Sequence, residues 1–252
     1  MVSIIINNYL NFLFIIKCIS KLLIGLYIIS CIDSKVSFLA PWIVCLISYF
    51  IFGGILLIYL EKYNYYYLIK MTWNKYDLFE HIHTSMFDLC LMLPISIWLV
   101  YHYHLFSLII IQYNEIQYFY QSILKIIMIP ISIFIGLIWR MLIHRLFHHH
   151  PLLYKSIHKK HHDRPDKMTP FCAFYDHPIE FLLMEVIGTF LLPLYINPLP
   201  IEILCILWAW QCFSGILDHS NAIIPGSYLI DATYHFTHHQ VQEYIYIYIF
   251  DI

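Results

Sequence analysis

One stretch of the chain, residues 36–60, contains no charged side chain at all. As a helix it would be roughly 37 Å long, enough to cross the apolar core of a bilayer, which is about 30 Å thick. The whole chain shares this bias, because 61% of its residues are hydrophobic and only 12% are charged, against roughly 25% charged in an average soluble domain. The sequence therefore predicts an all-α, polytopic helical bundle in a membrane.

Five further apolar segments complete the predicted bundle. They are residues 4–29, 87–101, 123–143, 181–195 and 201–217. Residues 87–101 include Asp88 and Pro94, so we expect a tilted or broken span there. The sequence Asn197-Pro198-Leu199-Pro200 is typical of a tight turn and makes the last two segments an in-and-out hairpin. A cleaved signal peptide is not expected, because no positive charge precedes the first apolar run.

Nine histidines form four groups in the second half of the chain. They are His144 and His148; His158, His161 and His162; His219; and His235, His238 and His239. Spacings of i, i+3 and i+4 share one face of a helix, so each group is predicted to aim its nitrogens at one point. Imidazole binds iron and zinc well. Nine nitrogens exceed the needs of one four-coordinate zinc and suit two metal ions with four or five ligands each.

Each group alone has a simpler interpretation. His144 and His148 could be interfacial histidines, the run 158–162 could be a basic patch at anionic lipid, and a lone His219 could be structural. The pattern His-x-x-His-His recurs at residues 235–239, about 77 positions after its first occurrence, and this repetition favours the metal site. We interpret the adjacent His149 and His150 as interfacial residues, not ligands.

Other polar and sulfur-containing residues have less certain roles. His177, in His177-Pro178-Ile179-Glu180, is a candidate tenth ligand, a partner of a ligand, or the cap of a helix with Pro at its first turn. Glu185 and Glu202 lie in apolar runs, where either could orient a ligand histidine through its ring N–H. The seven cysteines include no Cys-x-x-Cys pair, so we predict small core or lipid-facing residues instead of disulfides or ligands.

The hairpin decides where the histidine groups meet. Two groups precede it and two follow it, and two crossings return the chain to its starting side of the membrane. All four groups are therefore predicted on one face. Seven of the 14 Lys and Arg residues lie between 140 and 167, which indicates the cytosolic face. The formal net charge of −2 gives no indication of nucleic-acid binding.

The order of these motifs resembles the fatty acid hydroxylase/sterol desaturase superfamily. The matching motifs are His-Arg-Leu-Phe-His (144–148), His-Lys-Lys-His-His (158–162), His-Pro-Ile-Glu (177–180), Asp-His-Ser (218–220) and His-Phe-Thr-His-His (235–239). The resemblance covers residues 138–239 and is closest at residues 154–162. Trp208-Ala209-Trp210 resembles the 4-methylsterol oxidases, whereas the last histidine motif is more similar to the sterol 5-desaturases.

The resemblance implies a membrane enzyme of the endoplasmic reticulum with a di-iron centre facing the cytosol. Such enzymes reduce O2 with electrons from cytochrome b5 or a reductase and remove hydrogen from a lipid C–H bond, giving hydroxylation or desaturation. Carried over to this chain, the nine histidines named above would bind the two iron ions, with zinc as a substitute. A sterol or sterol precursor is the expected substrate, and a fatty acyl or sphingolipid chain is the alternative.

Two further readings belong to other functional classes. A histidine-rich metal transporter would place its ligands at mid-bilayer, and an inactive scaffold would keep only the fold. The scaffold is considered because the residues after His239 depart from the family pattern. We divide the chain into a transmembrane region (1–122), a hydroxylase-like domain (123–242) and an atypical tail (243–252). The Tyr-Ile alternation at 244–249 is typical of an edge strand or of translated AT-rich sequence beyond the gene.

Overall fold

The chain folds into a bundle of long helices in a computed structural model. The structure describes residues 2–30, 39–62, 73–102, 115–163, 165–193, 201–220, 235 and 237–239. Its α-helices are α1 (Val2–Ser30), α2 (Leu39–Lys62), α3 (Lys75–Phe87), α4 (Leu93–His102), α5 (Glu115–His149), α6 (Pro151–Ser156), α7 (Pro178–Phe181) and α8 (Ile201–Asp218). These residues include no strand, which confirms the all-α prediction for the described part of the chain.

Several predictions fall on residues outside that part. The turn at 197–200, the tail 243–252 and the side chain of Glu202 are among them. The cysteines that the structure describes are all free thiols, in agreement with the predicted absence of disulfides.

Two π-helical segments lie within the bundle, where the backbone is wider than in an α-helix. Residues Asp88–Met92 join α3 to α4, and Leu182–Leu191 follow α7 directly. The predicted broken span at 87–101 is therefore the second half of a continuous helical segment that begins at Lys75. The earlier start has a local cause, because the side chain of Asn74 caps α3 and the carboxylate of Asp77 accepts a hydrogen bond from the Asn74 N–H at 2.8 Å.

Three helical stretches are long and apolar enough to cross a membrane. They are Ala40–Leu60, Lys75–Leu99 and Ile129–His149. On α2 a stripe formed by Ile47, Ile51, Ile55 and Ile58 is more than half exposed, and α5 presents a similar apolar stripe. Exposed apolar area of this extent is stable against lipid and not against water. The chain is thus a membrane protein, as its composition predicts.

The buried core joins α2 to the segment that follows the second histidine group. Trp42 and Tyr49 on α2 are fully buried. The indole N–H of Trp42 donates to the carbonyl of Leu89 at 2.8 Å, and the Tyr49 hydroxyl donates to the carbonyl of Phe171 at 2.9 Å. Large aromatic residues need such partners for their polar ends when they are buried. The Tyr49 bond fixes the backbone at Phe171, between the second histidine group and α7, and the Trp42 bond ties α2 to the π-helix Asp88–Met92.

Helix α5 and the π-helix Leu182–Leu191 approach each other at two glycines. A β-carbon on Gly136 would lie 2.4 Å from the carbonyl oxygen of Gly188, so neither position has room for a side chain without movement of the backbone. The Trp139 indole N–H donates to the carbonyl of Leu183 at 2.8 Å beside this contact. Small residues let membrane helices pack this closely. The crossing sets the position of the end of α5, which carries His144 and His148.

We expect Gly136→Ala to lower the free energy of unfolding by about 1–3 kcal/mol, because its methyl group would overlap the backbone of Gly188. The control is Gly54→Ala on α2, where a β-carbon would meet no atom within 4 Å. Its effect should be neutral or stabilising by at most about 1 kcal/mol. Thermal unfolding of the two detergent-solubilised variants measures the difference. Equal unfolding temperatures would contradict the close crossing.

Candidate metal centre

The nine predicted histidines come together from four separate parts of the fold. His144 and His148 lie at the end of α5, one helical turn apart. The second group lies in a short 3₁₀ helix, His158–Lys160, and in the turn after it. His219 follows the last residue of α8, and the remaining three lie in a short helical segment at 235–239. Helix packing and not sequence proximity therefore assembles the cluster.

The imidazoles divide into two clusters that each resemble the ligand set of one ion. The first cluster contains His144, His148, His158, His162 and His238. The second cluster contains His161, His219, His235 and His239. Within each cluster the ligand atoms all lie within 4.8 Å of one another. This division matches the expectation of two metal ions with four or five ligands each.

The prediction that each sequence group aims at a single point is wrong for the second and fourth groups. His158 and His162 belong to the first cluster, whereas His161 belongs to the second. The fourth group is divided in the same way, with His238 apart from its two neighbours. Consecutive helical residues point about 100° apart, so adjacent histidines belong to different clusters. The pattern His-x-x-His-His thus contributes imidazoles to both clusters.

Three imidazole nitrogens of the first cluster form a triangle. The Nε2 atoms of His144, His148 and His238 are 2.9–3.0 Å apart in all three pairs. Each Nε2 has a single outward direction, occupied by either one hydrogen or one lone pair. Three such atoms cannot all satisfy one another by hydrogen bonds, and lone pairs that face each other repel. A cation at the common centre would bind all three lone pairs, so the donor set fits a metal ion.

The other two members of the first cluster lie equally close. His158 has its Nε2 at 2.9 Å from that of His148, and the Nε2 of His162 lies 3.0 Å from that of His158. The first cluster therefore gathers five imidazoles, one more than the four ligands of a tetrahedral zinc site.

The second cluster is a chain of contacts between Nε2 atoms. His219 lies 3.3 Å from His161 and 3.0 Å from His235. The Nε2 of His239 lies 3.0 Å from that of His235. His219 donates its other ring N–H to the carbonyl of Gly215 at 2.7 Å, which leaves a lone pair on its Nε2 directed into the cluster.

Two buried carboxylates hold the outer nitrogens of one histidine in each cluster. Glu180 lies 2.6 Å from Nδ1 of His158, and Asp176 lies 2.6 Å from Nδ1 of His161. Histidine ligands of metals commonly donate their second ring N–H to a carboxylate, which fixes the ring orientation and the tautomer. Sequence reasoning did not assign this role to either residue, although both flank His177 in a short polar segment just before an apolar run.

Four other residues considered in the sequence analysis lie outside the two histidine clusters, namely Glu185, His177, His149 and His150. Glu185 was a candidate for orienting a histidine, but its carboxylate pairs with Arg140 at 3.3 Å, so that role is contradicted. His177 is outside both clusters and caps α7, because its Nδ1 accepts the N–H of Ile179 at 3.2 Å. The helix-cap alternative for His177 is therefore the correct one. His149 and His150 are exposed and outside both clusters, in line with their interpretation as interfacial residues.

Burial favours the neutral form of four histidines that lie outside the predicted membrane spans. It lowers the pKa of His219 and of His238 to about 3, and neighbouring imidazoles add to the effect. The pKa values of His158 and His162 are also lowered by burial and by the histidines around them. Neutral imidazole is the form that binds metal ions. Burial raises the pKa of Glu180, and a bound cation would provide the counter-charge that favours its carboxylate form.

A cavity of about 370 Å³ adjoins the two clusters. Four of the nine histidines line one end of it, namely His144, His161, His219 and His235. Most of the rest of its wall comes from α5, the π-helix Leu182–Leu191 and α8, with further residues from the segment 173–180, and the wall is mainly apolar. Its volume falls in the range of small-molecule sites, roughly 300–1,000 Å³. A bound molecule of mainly apolar character could therefore reach both metal positions.

Known proteins share the part of the chain that carries these histidines. The fatty acid hydroxylase family model matches residues 129–252. Sphinganine C4-monooxygenase 2 of Arabidopsis thaliana is 32% identical over 108 residues, and Sphinganine C4-monooxygenase 1 is 28% identical over 110 residues. Very-long-chain aldehyde decarbonylase GL1-9 of Oryza sativa subsp. indica is 27% identical over 111 residues.

Each alignment covers 41% of this chain, and it spans 41% of either monooxygenase and 42% of the decarbonylase. No solved structure matches the chain. The matched region contains the end of α5, both histidine clusters and the two supporting carboxylates. The histidine motifs, their assembly in space and the family match together identify this chain as a member of the fatty acid hydroxylase/sterol desaturase superfamily.

Proposed function

We propose that this protein is an O2-dependent membrane oxidase that hydroxylates a long-chain lipid, with the nine histidines as ligands of two iron ions. The observation that carries the proposal is the junction of the two histidine clusters with a largely apolar cavity inside a membrane protein. Breaking an alkane C–H bond is beyond side-chain acid–base chemistry, and bound iron would supply the redox chemistry. The five imidazoles of the first cluster exceed the four ligands of a tetrahedral zinc site and so support iron, with zinc as a substitute.

The side chains around the site orient the histidine rings and exclude water from them. The ring nitrogens of His158 and His161 are oriented by Glu180 and Asp176, which accept from the Nδ1 atoms. His158, His162 and His239 are at most 1% exposed, so water has little access to the ligand set. Exclusion of water protects a reactive site from side reactions and from loss of protons.

The cavity offers a lipid direct access from the bilayer. Leu137 on α5 and Trp210 on α8 line it, and both are 51% exposed on the apolar surface of the bundle. A hydrocarbon chain could therefore pass from the membrane towards the histidines without entering water. This access supports a substrate that resides in the membrane and distinguishes the site from a metal-transport pathway, since the histidines lie together at the end of α5 and next to the cavity.

Hydroxylation requires a balanced supply of oxygen, electrons and protons. One oxygen atom of O2 enters the C–H bond as a hydroxyl, and the other leaves as water. Two electrons and two protons complete the reaction, and we assign the electrons to cytochrome b5 or a reductase. Arg145, Lys155 and Lys159 are exposed beside the site, and their charge supports docking of an acidic donor protein there. The same charges support a cytosolic orientation in the endoplasmic reticulum membrane.

The choice of substrate class rests on the named relatives. Sphinganine and very-long-chain aldehyde are both long linear lipids, and the chain spans about two fifths of the proteins named for them. We therefore place a fatty acyl or sphingolipid chain first. The sterol expected from Trp208-Ala209-Trp210 receives no support from these relatives.

Lipid profiling tests the reaction. The full chain is expressed in a yeast that lacks its own long-chain lipid hydroxylase, and hydroxylated long-chain lipids are measured by mass spectrometry. We expect new hydroxylated products with the wild-type chain and a loss of at least about 100-fold with His161→Ala, because the second cluster loses a ligand. His150→Ala is the matched control and should retain the products. Hydroxylation that survives His161→Ala would refute the metal assignment.

The iron content of the purified protein tests the role of Glu180 and Asp176 without an activity assay. Purified wild-type protein should contain two iron ions per chain. Glu180→Gln and Asp176→Asn should each weaken the binding of one ion by about 10–100-fold, because His158 and His161 lose their orienting partners. Chelator titration followed by elemental analysis measures this, with His149→Ala as the control for loss of an exposed imidazole. Unchanged iron retention in both carboxylate variants would show that these residues serve only the fold.

A further inference from the structure

The cavity beside the histidines has a polar cluster on its otherwise apolar wall. Arg140 pairs with Oε1 of Glu185 at 3.3 Å. Gln211 donates its amide N–H to Oε2 of Glu185 at 3.1 Å, and the Thr189 hydroxyl donates to the same oxygen at 3.3 Å. All four residues line the cavity. We call them the Glu185 cluster.

The Glu185 cluster is supplied by three different elements that form the wall. Arg140 comes from α5, Glu185 and Thr189 from the π-helix Leu182–Leu191, and Gln211 from α8. An ion pair is a poor means of joining helices inside an apolar wall, because hydrophobic residues of similar size pack there with equal or greater stability. The side chains of Arg140 and Glu185 also remain 26% and 12% exposed. The pair is therefore within reach of a molecule in the cavity.

The distance of the cluster from the metal centre is set by α5. Arg140 precedes His144 by four residues, which is about one helical turn or 6 Å along the axis. Beyond Arg140 the cavity continues past Leu137 and Gly136 to Ile133, where its lining is apolar. If a polar group of a lipid binds at the Glu185 cluster, carbon atoms only a few bonds from that group would lie beside His144. The apolar remainder of the lipid could extend towards Ile133.

The charge of the cluster indicates which lipid group fits. The Arg140–Glu185 pair carries no net charge, so it offers a bound group hydrogen bonds and not a counter-charge. A neutral hydroxyl group needs no counter-charge. It can donate to a Glu185 oxygen and accept from the Arg140 guanidinium, and both partners satisfy its hydrogen-bonding capacity without proton transfer.

We propose that the Glu185 cluster binds a neutral hydroxyl group of the lipid substrate and so determines which carbon lies beside the metal centre. This inference rests on the proposed function, because it assigns the substrate group and the position of attack for the same site. Glu185, Gln211 and Arg140 act as positioning residues, and they set specificity and regiochemistry rather than the chemical step.

The test compares two lipids of equal chain length in membranes that contain the full-length protein. One is a dihydroceramide, which carries an amide and hydroxyl groups, and the other is its analogue without the hydroxyl groups. For the wild type we expect kcat/KM to favour the hydroxylated lipid by at least about tenfold, since a site built to bind a hydroxyl group rejects the analogue that lacks it. Oxidation should occur at one carbon.

Two variants weaken the proposed hydrogen bonds between the Glu185 cluster and the lipid hydroxyl group in different ways. Glu185→Gln removes the charged acceptor but keeps the side-chain shape, and Gln211→Met removes an amide while the Arg140–Glu185 pair stays intact. Each should reduce the preference to about twofold, mainly through a higher KM, and should spread oxidation over several carbons. Ser96→Ala is the control, because the Ser96 hydroxyl donates to the carbonyl of Met92 in the adjoining π-helix at 2.7 Å and lies outside the cavity lining. Preference and product position should not change in that variant.

A binding measurement separates this inference from the proposed function. Each lipid is added without an electron donor, and the rise in unfolding temperature is recorded for the wild type and for Gln211→Met. A larger rise with the hydroxylated lipid in the wild type alone supports the inference, even if neither lipid is oxidised and the proposed function fails. If the wild type oxidises both lipids equally well, or if both variants keep the wild-type preference and product, the Glu185 cluster is only an ion pair between helices.

Discussion

The convergence of nine imidazole rings is the constraint on which the structure depends. The rings lie in two clusters, and neighbouring ring nitrogens within a cluster are 2.9–3.3 Å apart. Nitrogen lone pairs at such distances suit a shared cation. The fold holds the rings in place with buried carboxylates, a backbone carbonyl and close helix packing.

Contacts between the helices position the histidines and enclose the cavity beside them. The contact of Gly136 with Gly188 brings α5 against the π-helix, and this fixes where the end of α5 lies. The hydroxyls of Tyr49 and Ser85 both donate to the carbonyl of Phe171 and hold the segment before α7, from which Asp176 and Glu180 reach the histidines. The same helices leave a cavity that connects the clusters to the apolar surface. The contacts that position the histidines therefore also form the cavity.

Much of the fold and of the ligand set could be predicted because both leave local patterns in the sequence. Apolar runs of membrane-spanning length indicated the helices, and repeated His-x-x-His-His spacing indicated the histidines that the structure gathers. The start of α3 was missed because its cap at Asn74 lies in a polar stretch outside the apolar run. The roles of Asp176 and Glu180 were missed because a single carboxylate carries no spacing that names its partner.

The sequence by itself determined that the chain is helical, that it belongs in a membrane and which imidazoles are available, since these follow from composition and from short periodic spacing. Only the tertiary structure decided how the imidazoles divide between two clusters, which carboxylates support them and that Glu185 pairs with Arg140 on a cavity wall. These features depend on contacts between residues far apart in the chain. Their geometry is set by helix crossing and side-chain direction, which no local pattern encodes.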